Sequence, residues 1–355
     1  MTIAVDCRML NASGIGVYLR GILPFFLQSQ NYFLLLGNTD QLNSFASNTN
    51  VKIIECKEKP FSLNELFFFP QKIISKINSA DIYYSPFFNI PCGIKVPIYT
   101  TIHDIIFPDM PRLSSKIGLA ARMRFFRRAY KKSRKIFTVS EFSKSRIEHH
   151  LGAEKPVIVT HSAIQKIFLE YRANISNVPK KETVVFIGNI KKHKGLDYLL
   201  DAFRLAKKEG LPHKLIIIGS KENFRTKDNA ILQKIEEVGN DAVSFTGFVS
   251  DEKLMEYLST AALLVQPSLY EGFCLPPLEA LVLGTHALIS DIPVLKEVYD
   301  DYPVTFFRSG DSNNLKEKML ELLLNRKLSS PNLTDELLYK YTFEKTASKI
   351  LKELE

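Results

Sequence analysis

The chain alternates strand-like and helix-like segments, and the alternation runs through it twice. Short runs rich in β-branched and aromatic residues recur between helical patterns. The first series comprises residues 3–7, 32–36, 51–55, 81–84, 98–102, 136–139 and 157–160, and the second comprises residues 183–187, 215–218, 243–245, 263–266, 287–290 and 304–307. Several runs are apolar on both faces, as expected for parallel strands covered by helices on each side. The alternation therefore predicts an α/β protein with two Rossmann-like, doubly wound domains.

The domain boundaries follow from the gap between the two series. A length of 355 residues suits two hydrophobic cores better than one. The mixed polar stretch 165–181 is interpreted as the linker. We therefore predict an N-terminal domain over residues 1–168, a C-terminal domain over residues 182–336, and a terminal helix over residues 337–355 that packs back on the N-terminal domain. Because such folds bind ligands at the carboxyl ends of their strands, we expect the site in a central cleft that the two domains face.

Composition excludes several classes of protein. Apolar residues make up 45% and charged residues 24%, which is ordinary for a globular protein. The four cysteines and seven histidines show no metal-ligand spacing, so neither a metal nor another cofactor is expected. No apolar run approaches the ~18–20 residues that span a bilayer, and the first residues do not resemble a signal peptide. The expected location is the cytoplasm.

Positive charge is concentrated in one stretch. The formal net charge is +9, and residues 112–135 contain ten Lys or Arg and no Asp or Glu. Such a run favours an anionic partner. Within it, residues 122–132 interleave cations with aromatics at helical spacing. Two interpretations remain open: contact with an anionic membrane surface at the inner face of the cell membrane, or an ordinary amphipathic helix with Phe125, Phe126 and Tyr130 packed inward. Nucleic acid is not expected, because no recognised binding module surrounds the stretch.

The most informative segment is P-S-L-Y-E-G-F-C-L-P-P-L-E-A at residues 267–280. A buried strand enters a loop, and the two prolines begin a helix, where a missing N–H is tolerated. The amides of Phe273, Cys274 and Leu275 are candidates to meet an anion. Glu271 and Glu279, eight positions apart, are candidates to flank one ligand. The alternative is that Glu279 only complements the helix terminus and Glu271 is a solvated loop residue.

This segment resembles the E-x7-E signature of retaining glycosyltransferase family 4, P-S-x-x-E-G-F-G-L-P-x-L-E-A, and the resemblance continues to Glu297. It implies the GT-B fold and a donor that is a GDP-, dTDP- or UDP-linked sugar. It also implies that Glu271 faces the donor sugar, that Glu279 faces the nucleotide ribose, and that the amides of residues 273–275 serve the sugar and diphosphate. Cys274 departs from the family, which has glycine there.

A second cluster, F-I-G-N-I-K-K-H-K-G at residues 186–195, follows the first strand of the second series. The family usually has an Arg here, then four residues, then a Lys that neutralises the leaving diphosphate. Lys194 matches the Lys, whereas Asn189 stands at the Arg position. By the same resemblance, His193 is a weaker, titratable substitute for the missing charge. Preorganised cations speed such a step because negative charge grows on the departing group.

Matches in the other loops are individually weaker. Gly14 and Gly16 lie in a strand–helix loop that touches the diphosphate in relatives, and Asp6 and Arg8 precede it. His103 lies in T-I-H-D-I-I, which resembles the family's H-D turn at the donor sugar; a purely structural histidine is the alternative. Three further loop residues fit segments that cradle the nucleoside base in relatives: Gly219, Gly247 and Phe248.

The resemblance implies retaining hexosyl transfer, with mannose or rhamnose favoured, to a glycan acceptor that is polyprenyl-diphosphate-linked or of another kind, in O-antigen or capsule-type polysaccharide synthesis. One alternative is a nucleotide-sugar epimerase of the same fold, which would lack the Glu271–Glu279 pair. Another is a non-catalytic homologue that binds a nucleotide sugar or serves as a scaffold, a hypothesis suggested by Asn189 and Cys274. A dinucleotide oxidoreductase is disfavoured, because no G-x-G-x-x-G follows a suitable strand.

Overall fold

The structure is a computed structural model that describes residues 1–175, 178–219, 229–239, 241–325 and 330–355. It divides into two compact units. Unit 1 comprises Met1–Gln165 together with Tyr341–Glu355, and unit 2 comprises Lys166–Lys340.

Unit 1 is built on a seven-stranded parallel sheet with the strand order β3-β2-β1-β4-β5-β6-β7. In the centre of the sheet, Ile3 of β1 pairs with Phe33 on one side and with Ile82 on the other. Helices cover both faces, which explains why Ile3, Ala4 and Val5 in succession are all buried. The strands are β1 Thr2–Asp6, β2 Tyr32–Gly37, β3 Val51–Glu55, β4 Ile82–Ser85, β5 Ile98–Thr101, β6 Ser133–Thr138 and β7 Val157–Val159.

The helices of unit 1 include the last helix of the chain. Helix α16 packs on α1, and Gly21 of α1 permits the approach, because an added Cβ would lie 2.3 Å from the Phe343 ring. The helices are α1 Ser13–Leu27, α2 Thr39–Leu42, α3 Leu63–Phe67, α4 Gln71–Ile77, α5 Ile106–Asp109, α6 Lys116–Lys132, α7 Glu141–Leu151 and α16 Phe343–Leu354.

Unit 2 is built on a six-stranded parallel sheet with the strand order β10-β9-β8-β11-β12-β13. The central strands β8 and β11 are neighbours, with Val184 opposite Leu263. The strands are β8 Lys181–Ile187, β9 Lys214–Ile218, β10 Val243–Gly247, β11 Ala261–Gln266, β12 His286–Ser290 and β13 Thr305–Phe307.

The core of unit 2 lies between this sheet and its helices. Phe186 and Leu263 from the sheet and Phe203 from α9 are fully buried in one apolar cluster. The helices are α8 Lys166–Asn174, α9 Leu196–Lys208, α10 Asn229–Val238, α11 Asp251–Thr260, α12 Pro276–Val282, α13 Pro293–Tyr299, α14 Ser312–Leu320 and α15 Asp335–Leu338.

The predicted fold class of two doubly wound parallel-sheet domains is confirmed, since every predicted strand occurs in the predicted order. Two segments differ from the sequence interpretation. The stretch 165–181, which the sequence predicts as the linker, contains α8. Arg172 of this helix donates from Nη1 to the Val282 carbonyl at 2.8 Å. Residues 176–177 of that stretch lie outside the described residues. The last helix begins only at Phe343, because the Thr342 hydroxyl accepts from the Lys345 amide and caps it there.

Across the described ranges, no helix combines the length and the apolar composition that crossing a membrane requires.

Candidate functional site

The residues predicted to carry chemistry in unit 2 gather at the carboxyl edge of its sheet. Strand β8 is followed by the turn 188–195, and β11 is followed by the loop 267–275, which leads into α12. Because β8 and β11 are adjacent and parallel, both segments emerge at the same edge of the sheet. This brings Lys194 and Glu271 together although 77 positions separate them.

Lys194 and Glu271 form an ion pair at this edge. The Nζ atom of Lys194 donates to both carboxylate oxygens of Glu271, at 2.7 and 2.9 Å. The Ser268 hydroxyl also donates to Glu271 Oε1 at 2.7 Å and itself accepts from Gln266 Nε2 at 3.0 Å. Burial alone would raise the pKa of Glu271, but the Lys194 charge and these hydrogen bonds outweigh it and lower the pKa. Glu271 is therefore ionised at neutral pH.

The backbone fixes the geometry of this pair. The Leu269 amide donates to the His193 carbonyl at 2.7 Å, which ties the loop to the turn. Gly195 has φ +68°, and a Cβ there would lie 1.9 Å from the Pro267 carbonyl oxygen. Only glycine fits, both for the left-handed conformation and for the close approach. The Lys194–Gly195 sequence therefore sets the distance between the turn and the loop.

His193 and Asn189 lie in the same turn. Burial, with a further contribution from the Lys194 charge, lowers the pKa of His193 to about 4. The imidazole is therefore neutral near pH 7, and the role of His193 as a titratable substitute for the missing Arg charge stays a prediction. Asn189 is half-buried, and its carbonyl accepts from the Lys191 amide at 2.9 Å.

Glu279 differs from Glu271 in its protonation state. It lies in the first turn of α12, and its side chain is buried. Burial, with a smaller contribution from the Asp251 charge, raises the pKa of Glu279 to about 8. The two carboxyl groups of the E-x7-E segment are thus one ionised group and one group that holds its proton at neutral pH.

Cys274 occupies a conformation that suits glycine. Its φ is +75°, and it is one of two non-glycine residues with positive φ in the described part of the chain. Its backbone carbonyl accepts a hydrogen bond from the Tyr299 hydroxyl, and its thiol donates a hydrogen bond to the Glu271 carboxylate. Burial and the Glu271 charge raise the pKa of this thiol well above its ordinary value. Phe273 beside it is buried, and Leu275 is half-buried.

The three glycines that end β8, β9 and β10 lie close together. A Cβ on Gly219 would lie 2.2 Å from the Gly188 carbonyl oxygen, and the Gly219 amide donates to the Gly247 carbonyl at 3.1 Å. Phe248, which follows Gly247, is exposed. The structure thus places Gly219, Gly247 and Phe248 at the same carboxyl edge of the unit 2 sheet as the Lys194 turn.

The remaining predicted residues, Gly14, Gly16 and His103, belong to unit 1. A Cβ on Gly16 would lie 2.4 Å from the Leu10 carbonyl oxygen, so close packing requires this glycine, whereas a Cβ on Gly14 would meet nothing within 4 Å. His103 follows β5, and its Nε2 lies 2.8 Å from the Pro86 carbonyl oxygen. Because a carbonyl only accepts, Nε2 carries the hydrogen and Nδ1 is left as an acceptor. Burial lowers the pKa of His103 to about 4, so its ring is neutral.

Sequence reasoning missed three supporting residues. Ser268 and Gln266 form the hydrogen-bond chain to Glu271, and Tyr299 of α13 holds the Cys274 carbonyl. Ser268 belongs to the P-S pair of the motif, which was a usable signal. Tyr299 carries none, because its contact with residue 274 depends on how α13 packs. Among the residues that the structure describes, no group of three or more His, Cys, Asp or Glu could hold a metal ion.

Residues 168–332 match the family Glycosyl transferases group 1. The chain is 28% identical over 231 residues to the O-antigen chain mannosyltransferase B of Escherichia coli, covering 62% of this chain and 59% of that protein. It is 30% identical over 209 residues to the uncharacterized glycosyltransferase MJ1178 of Methanocaldococcus jannaschii, covering 58% of this chain and 54% of that one. The chain thus matches somewhat more than half the length of these two relatives.

A solved structure extends the likeness over the full chain. HepE of Anabaena in complex with UDP-glucose has a TM-score of 0.73 at 16% identity, and the match covers 100% of this chain and 99% of that one. At this identity the likeness concerns the fold, which is the GT-B fold of two Rossmann-like domains. The chain thus has the GT-B fold, and its residues 168–332 are similar to the glycosyltransferase group 1 family.

Proposed function

We propose that this protein is a retaining glycosyltransferase that transfers a hexose from a nucleotide sugar to a glycan acceptor in the synthesis of a surface polysaccharide. Mannose is the first candidate for the hexose, and rhamnose is the second. The similarity to an O-antigen chain mannosyltransferase supports mannose and this acceptor class. A polyprenyl-diphosphate-linked glycan is the acceptor that we would test first.

The observation that carries the proposal is the Lys194–Glu271 pair at the carboxyl edge of the unit 2 sheet. When a glycosidic bond to a nucleoside diphosphate breaks, negative charge grows on the diphosphate and positive charge on the sugar. A fixed ammonium favours the first change and a fixed, ionised carboxylate favours the second. Because the pKa of Glu271 is lowered, this residue is unsuited to act as a general acid at neutral pH.

The other groups fit positioning roles. A protonated Glu279 both donates and accepts hydrogen bonds, which suits the two hydroxyl groups of a ribose. In unit 1, the neutral His103 offers Nδ1 as an acceptor for a sugar hydroxyl. Gly14 is a further candidate for donor contact, because the packing of its neighbours gives no reason for a glycine at that position. The reaction we propose needs neither a metal nor another cofactor.

The first experiment is a calorimetric comparison of GDP, UDP and dTDP and their common sugar conjugates. Selective binding of one nucleotide supports the proposal and names the donor class. The Lys194→Ala variant should bind that nucleotide diphosphate more weakly, whereas Lys208→Ala, which changes an exposed cation at the end of α9, should not. No binding of any nucleotide would overturn the proposal.

Transfer is then tested with the selected donor and lipid-linked glycan acceptors, and the anomeric configuration of the product is determined by NMR. Retained configuration supports the proposed reaction, and inversion contradicts it. Asn189, at the position where the resemblance led us to expect an Arg, favours a second candidate: a homologue that binds the nucleotide sugar without transferring it. Donor binding without transfer to any acceptor would select this candidate instead.

A further inference from the structure

One surface of unit 1 exposes large apolar side chains side by side. In and after α3, Leu63 is 72% exposed, Phe67 is 62% exposed and Phe68 is 76% exposed. Leu63 and Phe67 occupy positions i and i+4 of α3 and therefore share one face of the helix. Clustered exposure of this kind is unusual on a soluble surface and marks a site of interaction.

The outward orientation of this face is fixed from the opposite side. Glu65 lies in the same short helix and is fully buried. Its carboxylate accepts from Arg8 Nη2 at 2.5 Å and from the Phe61 amide at 2.8 Å, and its backbone carbonyl accepts from the Cys92 amide at 3.0 Å. With Glu65 held inward, Leu63 and Phe67 cannot turn into the core without breaking a buried ion pair.

Helix α6 borders the same face. Leu66, Phe67, Arg124, Phe125 and Arg128 together line a cavity of about 70 Å³. The helix has seven Lys or Arg and no acidic residue among its 17 residues. Phe126 and Tyr130 are buried, so the inward packing considered from the sequence is the one that these two aromatics adopt.

The outward face of α6 is apolar at its start and cationic toward its end. Ile117 is 85% exposed, and Arg124, Arg127 and Lys131 follow as exposed residues at helical spacing. The exposed aromatics at the border of α6 therefore come from α3 and from Phe68, which directly follows it. We call the combined set the aromatic–basic surface: Leu63, Phe67, Phe68, Ile117, Arg124, Arg127 and Lys131.

We propose that the aromatic–basic surface docks this protein on a bilayer that contains anionic phospholipids. Exposed Phe and Leu side chains can enter the boundary between headgroups and acyl chains, and neighbouring cations can pair with headgroup phosphates. The uniform sign of the charge decides for a bilayer over a protein partner, because residues 112–135 carry ten cations and no acidic residue. This inference does not depend on the proposed function.

The first test uses the absence of tryptophan from the sequence. In a Phe68→Trp variant, the single indole reports whether this position leaves water. The control is Tyr32→Trp, at an exposed position on β2. Vesicles of phosphatidylcholine with phosphatidylglycerol should shift the emission of the Phe68→Trp variant to the blue, and vesicles of phosphatidylcholine alone should shift it much less. An unchanged spectrum at position 68, or equal shifts in the two variants, would overturn the proposal.

The second test measures co-sedimentation of the unlabelled protein with the same vesicles. Each basic residue near an anionic surface contributes about fivefold in affinity, so Arg124→Ala with Arg127→Ala should weaken binding roughly 25-fold. Phe67→Ser with Phe68→Ser should weaken it by about tenfold or more, because two apolar side chains no longer enter the bilayer. The Lys208→Ala control should bind as the parent does, and added salt should weaken binding in all of them.

Both double variants change only exposed side chains, so their thermal unfolding should match that of the parent. If they sediment with anionic vesicles as strongly as the parent, or if the parent binds neutral vesicles equally well, the aromatic–basic surface is not a bilayer contact. Binding of a nucleic acid or a protein at this surface, without binding of anionic vesicles, would likewise contradict the proposal.

Discussion

Each of the two sheets carries a cation bonded to carboxylate at its carboxyl edge, but the surroundings of the two clusters differ. In unit 1, Arg8 donates to Asp6 and to Glu65, and its side chain is only 2% exposed while both carboxylates are fully buried. In unit 2, the Lys194 side chain is 22% exposed and that of its partner Glu271 is 9% exposed. We call these the sealed cluster and the open pair.

The sealed cluster is completed on every side by the protein. Asp6 also accepts from the Tyr83 hydroxyl at 2.6 Å, and the rings of Phe69 and Phe87 lie within 6 Å of the Arg8 guanidinium. Such a cluster can orient the segments it joins, but no substrate can reach it. The open pair has the same kind of charges with access to solvent. The difference indicates that accessibility, and not the presence of paired charges, separates a candidate active site from a structural element.

The largest effect that we expect concerns the sealed cluster. Arg8→Met removes the only cation bonded to Asp6 and Glu65 in the described ranges and leaves two buried carboxylates. Breaking a buried pair in this way costs about 3–5 kcal/mol. Lys194→Met at the open pair should cost less, because Lys194 is 22% exposed and the Ser268 hydroxyl still donates to Glu271. Denaturant unfolding of both variants checks this, and equal losses would remove the distinction between the two clusters.

The next effect concerns activity. Lys194→Ala and Glu271→Ala should each reduce transfer by about 10²–10³-fold or abolish it, as the loss of a preorganised charge does in other enzymes. The fold should persist in both, as judged by circular dichroism. A matched change of a second Lys–Glu pair in unit 2, Lys316→Ala opposite Glu209, should leave transfer unchanged. Full activity of a purified Lys194 or Glu271 variant would refute the role of that residue.

A smaller effect distinguishes Glu279 from Glu271 and concerns how the free energy of unfolding depends on pH. The pKa of Glu279 is about 8 in the folded chain and about 4.5 in the unfolded one, so the folded state binds the proton more tightly. The stability that this group contributes is therefore full below about pH 4.5 and declines by about 1 kcal/mol per pH unit until about pH 8. Glu279→Gln should lose this slope, measured by denaturant unfolding at about pH 6 and about pH 8. A slope identical to that of the parent would show that Glu279 is ionised throughout.

The smallest effect that we expect concerns Cys274, which has a positive φ. A side chain in the left-handed region costs about 1–2 kcal/mol, and glycine loses about 0.5–1 kcal/mol of backbone entropy in exchange. Cys274→Gly should therefore stabilise the protein by up to about 1 kcal/mol in thermal unfolding. Cys274→Ala keeps the Cβ and should gain nothing. If alanine stabilises as much as glycine, the strain does not come from the backbone of residue 274.

The sequence predicts the open pair better than the sealed cluster, for a physical reason. Both partners of the open pair lie directly after strands, and parallel strands place such residues at one edge. The sealed cluster depends on Glu65, which lies 57 positions from Arg8 on a five-residue helix. Neither hydrophobic periodicity nor strand order predicts that this carboxylate turns inward, because its burial results from tertiary packing.

The same limit applies to protonation states and to the exposed aromatics. Glu271 and Glu279 are both glutamates in one motif, so the sequence does not distinguish their protonation states. The residues around each one in the folded chain lower the pKa of Glu271 and raise that of Glu279. The run Phe67–Phe69 is apolar throughout in the sequence, yet Phe69 is buried and the other two side chains are exposed. Their outward orientation depends on the anchoring of Glu65 and not on their own chemistry.

The contact between Gly195 and Pro267 has a consequence for anyone who recombines homologous sequences. Since the two backbones are in contact, the turn after β8 and the loop after β11 pack as one structural unit, although they are distant in the sequence. A graft that replaces only residues 267–275 from a homologue would set a foreign loop against the native turn and displace the ammonium from the carboxylate. Chimeras designed to exchange donor preference should carry both stretches as a matched set, with the glycine retained.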